Sequence, residues 1–124
     1  MYPKFIQRNN YESFKKISVS LIFLVSLPAF ADSFCTGKVT KLGVGRHGVV
    51  YVSGPGGLPV VYLCNLQGKS NGIETESCKA MYSSLLAAKA QNKTVSITFN
   101  PSIGSCSELG SWRYAQNVNW VISE

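Results

Sequence analysis

Four cysteines, Cys35, Cys64, Cys78 and Cys106, all follow a segment patterned for export. An even cysteine count in an exported chain reads as two disulfides and as a fold completed under oxidising conditions. The preceding segment has three parts. Lys4, Arg8, Lys15 and Lys16 make a basic start, residues 17–27 form an apolar run, and Pro28 leads into Ala29-Phe30-Ala31, the small residues a signal peptidase accepts. The apolar run is shorter than the ~20 residues needed to span a bilayer. Residues 1–31 are therefore expected to be a signal peptide and residues 32–124 a single disulfide-stabilised domain. The expected location is secreted or periplasmic, with no membrane span after the leader is removed.

Cleavage changes the charge of the chain. The whole sequence carries a formal +6, but from Asp32 onward eight basic residues face five acidic ones, leaving +3. An excess of this size keeps a domain soluble without defining a nucleic-acid surface, so nucleic acid is not an expected partner. The remaining 93 residues form only a thin core. Each disulfide adds roughly 2–4 kcal/mol, chiefly by restricting the unfolded chain, against a total stability of about 5–15 kcal/mol. A metal site is not expected, because the cysteines are widely spaced and His47 is the only histidine. No cofactor is expected either.

The local patterns predict the order β-β-β-α-β-β. Residues 35–44 read as one strand, with Gly43 and Gly45 marking a bend or bulge near its end. Arg46-His47-Gly48 is a turn, and Val49–Val52 is a β-branched and aromatic strand. The breaker-rich stretch Ser53–Pro59 is a loop, and Val60–Cys64 is the third strand, forming a hairpin with the second. Cys78, Met81, Tyr82, Leu85 and Ala88 recur at helical spacing, with Thr75 or Ser77 as candidate caps and Asn92 as terminator. Thr94–Phe99 alternates as a strand, and the last strand is expected to reach Ser123, with Val118, Trp120 and Ile122 on one face and Trp120 in the core.

A small Greek-key barrel of the OB type accommodates this order and hides its sheet edges. The alternative is an open antiparallel sheet with one helix packed on it. Three disulfide connectivities are open. Cys64–Cys78 with Cys35–Cys106 is preferred, because the first bridge would pin the helix to the strand before it. The second would tie the first strand to the loop between the last two.

The run from Leu63-Cys64 through Cys78, Tyr82 and Leu85 to Gln91-Asn92-Lys93-Thr94-Val95-Ser96-Ile97-Thr98-Phe99 resembles the OB-fold B subunits of subtilase-cytotoxin-type and pertussis-like toxins. The likeness covers about half of residues 32–124. It implies a homo-oligomeric ring that binds cell-surface glycans, with Thr36, just before Gly37, at the place of a sugar-contacting hydroxyl residue. The chain departs from that family in its second cysteine pair, Cys35 and Cys106. It also resembles small secreted proteins of Gram-negative bacteria that share a Cys-Thr-Gly-Lys-Val start, a likeness that implies no activity.

No catalytic set stands out. His47 lies between Arg46 and Gly48 without a carboxylate nearby in sequence, which suits a solvated turn better than a general base. Glu74 and Glu76 sit where a helix dipole favours negative charge, not facing one another across a cleft as glycosidase carboxylates do. The cysteines lack the Cys-X-X-Cys spacing of a redox pair. Gly54-Pro55-Gly56-Gly57 lacks the lysine and following helix of a phosphate loop. The aromatics Tyr51, Tyr62, Trp112, Tyr114 and Trp120 are the strongest binding signal, since OB-type domains bind through such rings. Trp112, Arg113 and Tyr114 are accordingly candidate ligand-binding residues, and the resemblance adds Thr36. The expected function is non-catalytic binding, of a glycan or a protein partner. The alternative is a periplasmic inhibitor or accessory protein acting on a cell-envelope enzyme, with the Gly/Pro loop as its plug.

Overall fold

A computed structural model describes residues 32–124; the expected signal peptide lies outside the described residues. The elements are β1 (Ser33–Lys38), β2 (Lys41–Val44), β3 (Val49–Ser53), β4 (Val61–Asn65), α1 (Thr75–Ala90), β5 (Thr94–Phe99) and β6 (Val118–Ser123). Short 3-10 turns occupy Pro55–Gly57 and Cys106–Glu108. The strands form two three-stranded antiparallel sheets, ordered β1-β5-β6 and β2-β3-β4. Among the described residues the protein is thus mostly β with one helix, and their ladders do not close into a barrel.

The strand expected over residues 35–44 is two strands, one in each sheet. Val39 turns into the core between them. Thr40 then crosses to β3, its N–H donating to the Ser53 carbonyl at 2.9 Å and its hydroxyl meeting the Ser53 hydroxyl at 2.9 Å. Gly54 permits this crossing, because a Cβ there would collide with the Lys38 carbonyl. The bend therefore lies at Val39–Thr40 and not at Gly43 or Gly45. The hairpin between β3 and β4 forms as expected, with a bulge between Val50 and Tyr51.

The inward faces of the two sheets share one core. Cys35, Val95, Ile97 and Phe99 come from one sheet, Val50, Val52, Val61 and Leu63 from the other, and all are fully buried. Helix α1 adds Cys78, Leu85 and Ala88, with Met81 and Tyr82 half-buried beside them, as its periodicity predicts. Its start differs from expectation: Glu74 is the N-cap and makes no side-chain cap. Its end is a Schellman motif. Asn92 takes φ 54°, its N–H donates to Lys89 O, and the Lys93 N–H donates to Ala88 O. Glu74 pairs with Lys69 at 3.1 Å and Glu76 with Lys79 at 2.9 Å, all exposed, so each pair is worth less than about 1 kcal/mol.

Cys35 bonds Cys106 and Cys64 bonds Cys78, the two preferred pairs. The second ties the start of α1 to the end of β4. The first ties β1 to the 100–117 connection, and the 3-10 turn at Pro55–Gly57 closes over it: a Cβ on Gly56 would approach Cys35 Cα to 2.8 Å and Cys106 Sγ to 3.1 Å. Among the described residues, no helix is long and apolar enough to cross a membrane.

Trp120 is a correction. Strict alternation puts it in the core with Val118 and Ile122, yet it is 60% exposed. A register shift in the β5–β6 ladder pairs Ile97 with Val121 and Phe99 with Val118. One extra residue of β6 is accommodated opposite Thr98, whose hydroxyl accepts the Trp120 N–H at 3.0 Å. Val118 and Val121 consequently pack on the core, while Trp120 and Ile122 face solvent.

Candidate functional site

The outer face of the β2-β3-β4 sheet carries a row of residues set by register. Gly43 is opposite Tyr51, Tyr51 opposite Tyr62, and Tyr62 forms a parallel bridge with Tyr114. Tyr51 lies between Val50 and Val52 and Tyr62 between Val61 and Leu63, all core residues, so alternation turns both tyrosines outward. Gly43 makes space for the first ring: a Cβ there would stand 2.5 Å from Tyr51 ring atoms. Trp112-Arg113-Tyr114 reads in sequence as the start of a further strand. Instead, residues 112–115 lie along β4 as a short bridge and β6 starts at Val118. Three backbone hydrogen bonds seat this segment: Trp112 N–H to Val60 O at 2.7 Å, Tyr62 N–H to Arg113 O at 2.8 Å, and Ala115 N–H to Tyr62 O at 2.9 Å.

Trp112 is the prominent member of the strip. Its φ is 58°, a left-handed conformation that bulky side chains rarely adopt, and it remains 59% exposed. Tyr51 and Tyr62 prop the indole from the sheet, with ring centroids at 5.9 Å and 6.4 Å and the planes tilted by 53° and 66°. Tyr62 in turn meets Tyr114 edge to face at 5.6 Å. Tilted and edge contacts of this kind are favourable because ring edges are positive and ring faces negative. They hold an exposed indole in one place on a rigid sheet.

Beside Tyr114 the surface sinks into an open hollow of about 590 Å³, lined by Asn71, Gly72, Tyr114, Gln116, Asn117 and Val118. Asn71 connects it to the fold. With φ 55°, it aims its amide nitrogen between β4 and the 112–115 segment, donating to Leu63 O at 2.9 Å and to Ala115 O at 2.7 Å. Asn117 also takes a positive φ, 66°, and its carbonyl accepts the Asn100 N–H at 2.9 Å. In sequence Asn65–Gly72 is a polar, turn-rich stretch, and nothing local singles out Gln116 or Asn117. The Asn71-Gly72 turn dipeptide was the available signal, but its partner segment is over forty residues away.

The four candidate binding residues do not form one site. Trp112 and Tyr114 belong to the aromatic strip with Tyr51 and Tyr62. Arg113 is exposed, and a Cβ at Gly110 would lie 3.2 Å from its Cδ, so its stem folds back over that glycine. Thr36 is on the outer face of the other sheet, opposite Ser96, with the two hydroxyls 2.7 Å apart. Phe34 and Ile122 are exposed on that sheet. Trp120 stands in a separate groove between α1 and β6, with Ser77, Ala80, Met81 and Ser84.

The remaining candidates have local roles. His47 is exposed in the β2–β3 turn, where its Nε2 accepts a hydrogen bond from Arg46 Nε at 3.2 Å. The Gly/Pro stretch does not project as a plug would. Pro55 and Leu58 are buried, and the turn is folded onto β1 and the Cys35–Cys106 bridge. Among the described residues, no group of three or more His, Cys, Asp or Glu side chains is placed to hold a metal ion. Comparison with protein-family models, with curated proteins and with solved structures found no match, so the site is read from its geometry.

Proposed function

We propose that this is an exported, non-catalytic binding protein that holds a glycan against Trp112, with the hollow beside Tyr114 taking the hydroxyl groups. The observation that carries this reading is Trp112 itself: a large apolar ring kept exposed in a strained backbone conformation and buttressed by Tyr51 and Tyr62. Strain of order 1–3 kcal/mol persists where the surrounding structure maintains it, and it concentrates at ligand sites. A pyranose ring has an apolar C–H face that packs on an aromatic ring and a rim of hydroxyls that needs hydrogen bonds. The rings, carboxamides and backbone here supply both, whereas acyl or glycosyl transfer needs a nucleophile or acid paired with a base. Two disulfides support oxidation after export.

The fold we propose is of the OB type. This reading is supported by β1 and β2, which follow one another as two halves of a sharply bent strand, and by the parallel Tyr62–Tyr114 bridge, which lies where the seam of such a barrel would be. OB domains bind oligosaccharides on an outer sheet face, and the aromatic strip occupies such a face.

The test is a glycan array probed with the oxidised protein and with three variants. Trp112→Ala and Tyr62→Ala should lose the signal, and Trp120→Ala, on another face, should retain it. Equal binding by the wild type and Trp112→Ala refutes the assignment of the site.

A further inference from the structure

Resting on the reading above, we infer that the ligand at this site is a neutral sugar, recognised without its charge being read. The hollow meets the aromatic strip at Tyr114 and offers an uncharged surface: three carboxamides, a phenol, a glycine and a valine. Open to solvent and of about 590 Å³, it has room for a terminal sugar residue whose neighbour packs on Trp112. Both amide hydrogens of Asn71 are used on Leu63 O and Ala115 O, so toward a ligand it presents only its Oδ1 acceptor. Gln116 and Asn117 are exposed and bring both donors and acceptors. That mixture matches hydroxyl groups, each of which donates one hydrogen bond and accepts others.

A carboxylate or sulfate would be poorly served in the same place. In an open hollow an anion is favoured over a neutral group only by a counter-charge or several convergent N–H donors. Arg113 is not part of the lining, since its stem lies over Gly110. The nearest charges along the chain from Gly72 are Glu74 and Lys69, which neutralise each other at 3.1 Å. The carboxamides alone would therefore favour a neutral hexose or N-acetylhexosamine over its acid-capped counterpart.

The test uses the full disulfide-bonded domain and matched probes: lactose and N-acetyllactosamine beside their sialylated and sulfated derivatives. Titration calorimetry should show the neutral members binding at least as tightly as the acidic ones. Their Kd should change by less than about twofold between about 0.05 and 0.5 M NaCl, since screening acts only on charge. Gln116→Ala and Asn117→Gly should each weaken neutral binding about three- to tenfold, the worth of one neutral hydrogen bond. Glycine adopts the positive φ at 117 freely, so that variant stays folded. A clear preference for the acidic members with a steep salt dependence overturns this inference and leaves the glycan reading standing. So does neutral binding that both variants leave unchanged. Failure of every array glycan, neutral and acidic, overturns the glycan reading and this inference together.

Discussion

Removing the two disulfides one at a time should not cost the same. Cys35 and Cys106 are 71 residues apart in sequence, Cys64 and Cys78 only 14. If a bridge acts mainly by closing a loop in the unfolded chain, its contribution rises with the logarithm of loop length. At 25 °C the long bridge is then worth about 4.4 kcal/mol and the short one about 3.0 kcal/mol. Packing works against this gap, because both sulfurs of the short bridge are fully buried whereas Cys106 is half-exposed. One partly exposed sulfur changes the balance by less than about 1 kcal/mol, so the order holds. The assay is urea unfolding of the wild type, Cys35→Ala/Cys106→Ala and Cys64→Ala/Cys78→Ala, followed by circular dichroism. With a urea slope of about 1 kcal/mol per molar for a domain of this size, the two variants should have midpoints separated by roughly 0.4–1.4 M, the long-bridge variant being the weaker. Equal midpoints, or the reverse order, would refute the loop-closure reasoning and place the stabilisation in local packing around the sulfurs.

The other predictions concern the strip and the helix end. Gly43→Ala forces the outer end of the Tyr51 ring to move from a position 2.5 Å from the new methyl. The ring is flexible there, so urea stability should stay within about 1 kcal/mol of wild type, while glycan affinity falls because Trp112 loses a prop; unchanged affinity would show that Tyr51 does not position the indole. Asn92→Ala should cost about 1 kcal/mol, because a Cβ-bearing residue that lacks asparagine's tolerance for φ 54° must end the helix. Asn92→Gly should cost nothing measurable, and equal losses in the two variants would contradict the Schellman assignment.

What could be read from the sequence was what depends on neighbours close in the chain. Strand β5 and helix α1 follow from periods of two and 3.6 residues, and their buried apolar positions, Val95, Ile97 and Phe99, then Cys78, Leu85 and Ala88, are those the periods select, although Ser96 and Thr98 on the other face of β5 are buried as well. Trp120 shows the limit. Its orientation is set by one extra residue in the ladder opposite Thr98, a register event that β6 alone does not encode. The bend at Val39–Thr40 likewise depends on Ser53 and Gly54 arriving beneath it.

The site divides in the same way. Trp112 and Tyr114 stand out in sequence as aromatic residues just after Gly110-Ser111. Their supports, Tyr51 and Tyr62, belong to strands some fifty to sixty residues earlier, and pairing alone makes them neighbours. Thr36, singled out by resemblance, is in the other sheet with Ser96. The hollow is assembled from the 71–72 turn and the 114–118 segment, neither of which carries a motif by itself.

The protein contains two tryptophans, which makes one experiment decisive. In a proton–nitrogen correlation spectrum each indole N–H gives its own signal, and Trp112 and Trp120 lie on different faces of the domain. Titrating the ¹⁵N-labelled, oxidised protein with lactose or N-acetyllactosamine should shift the Trp112 indole progressively and leave the Trp120 indole in place. Movement of the Trp120 signal with a stationary Trp112 would contradict the central claim that the propped indole is where the ligand sits.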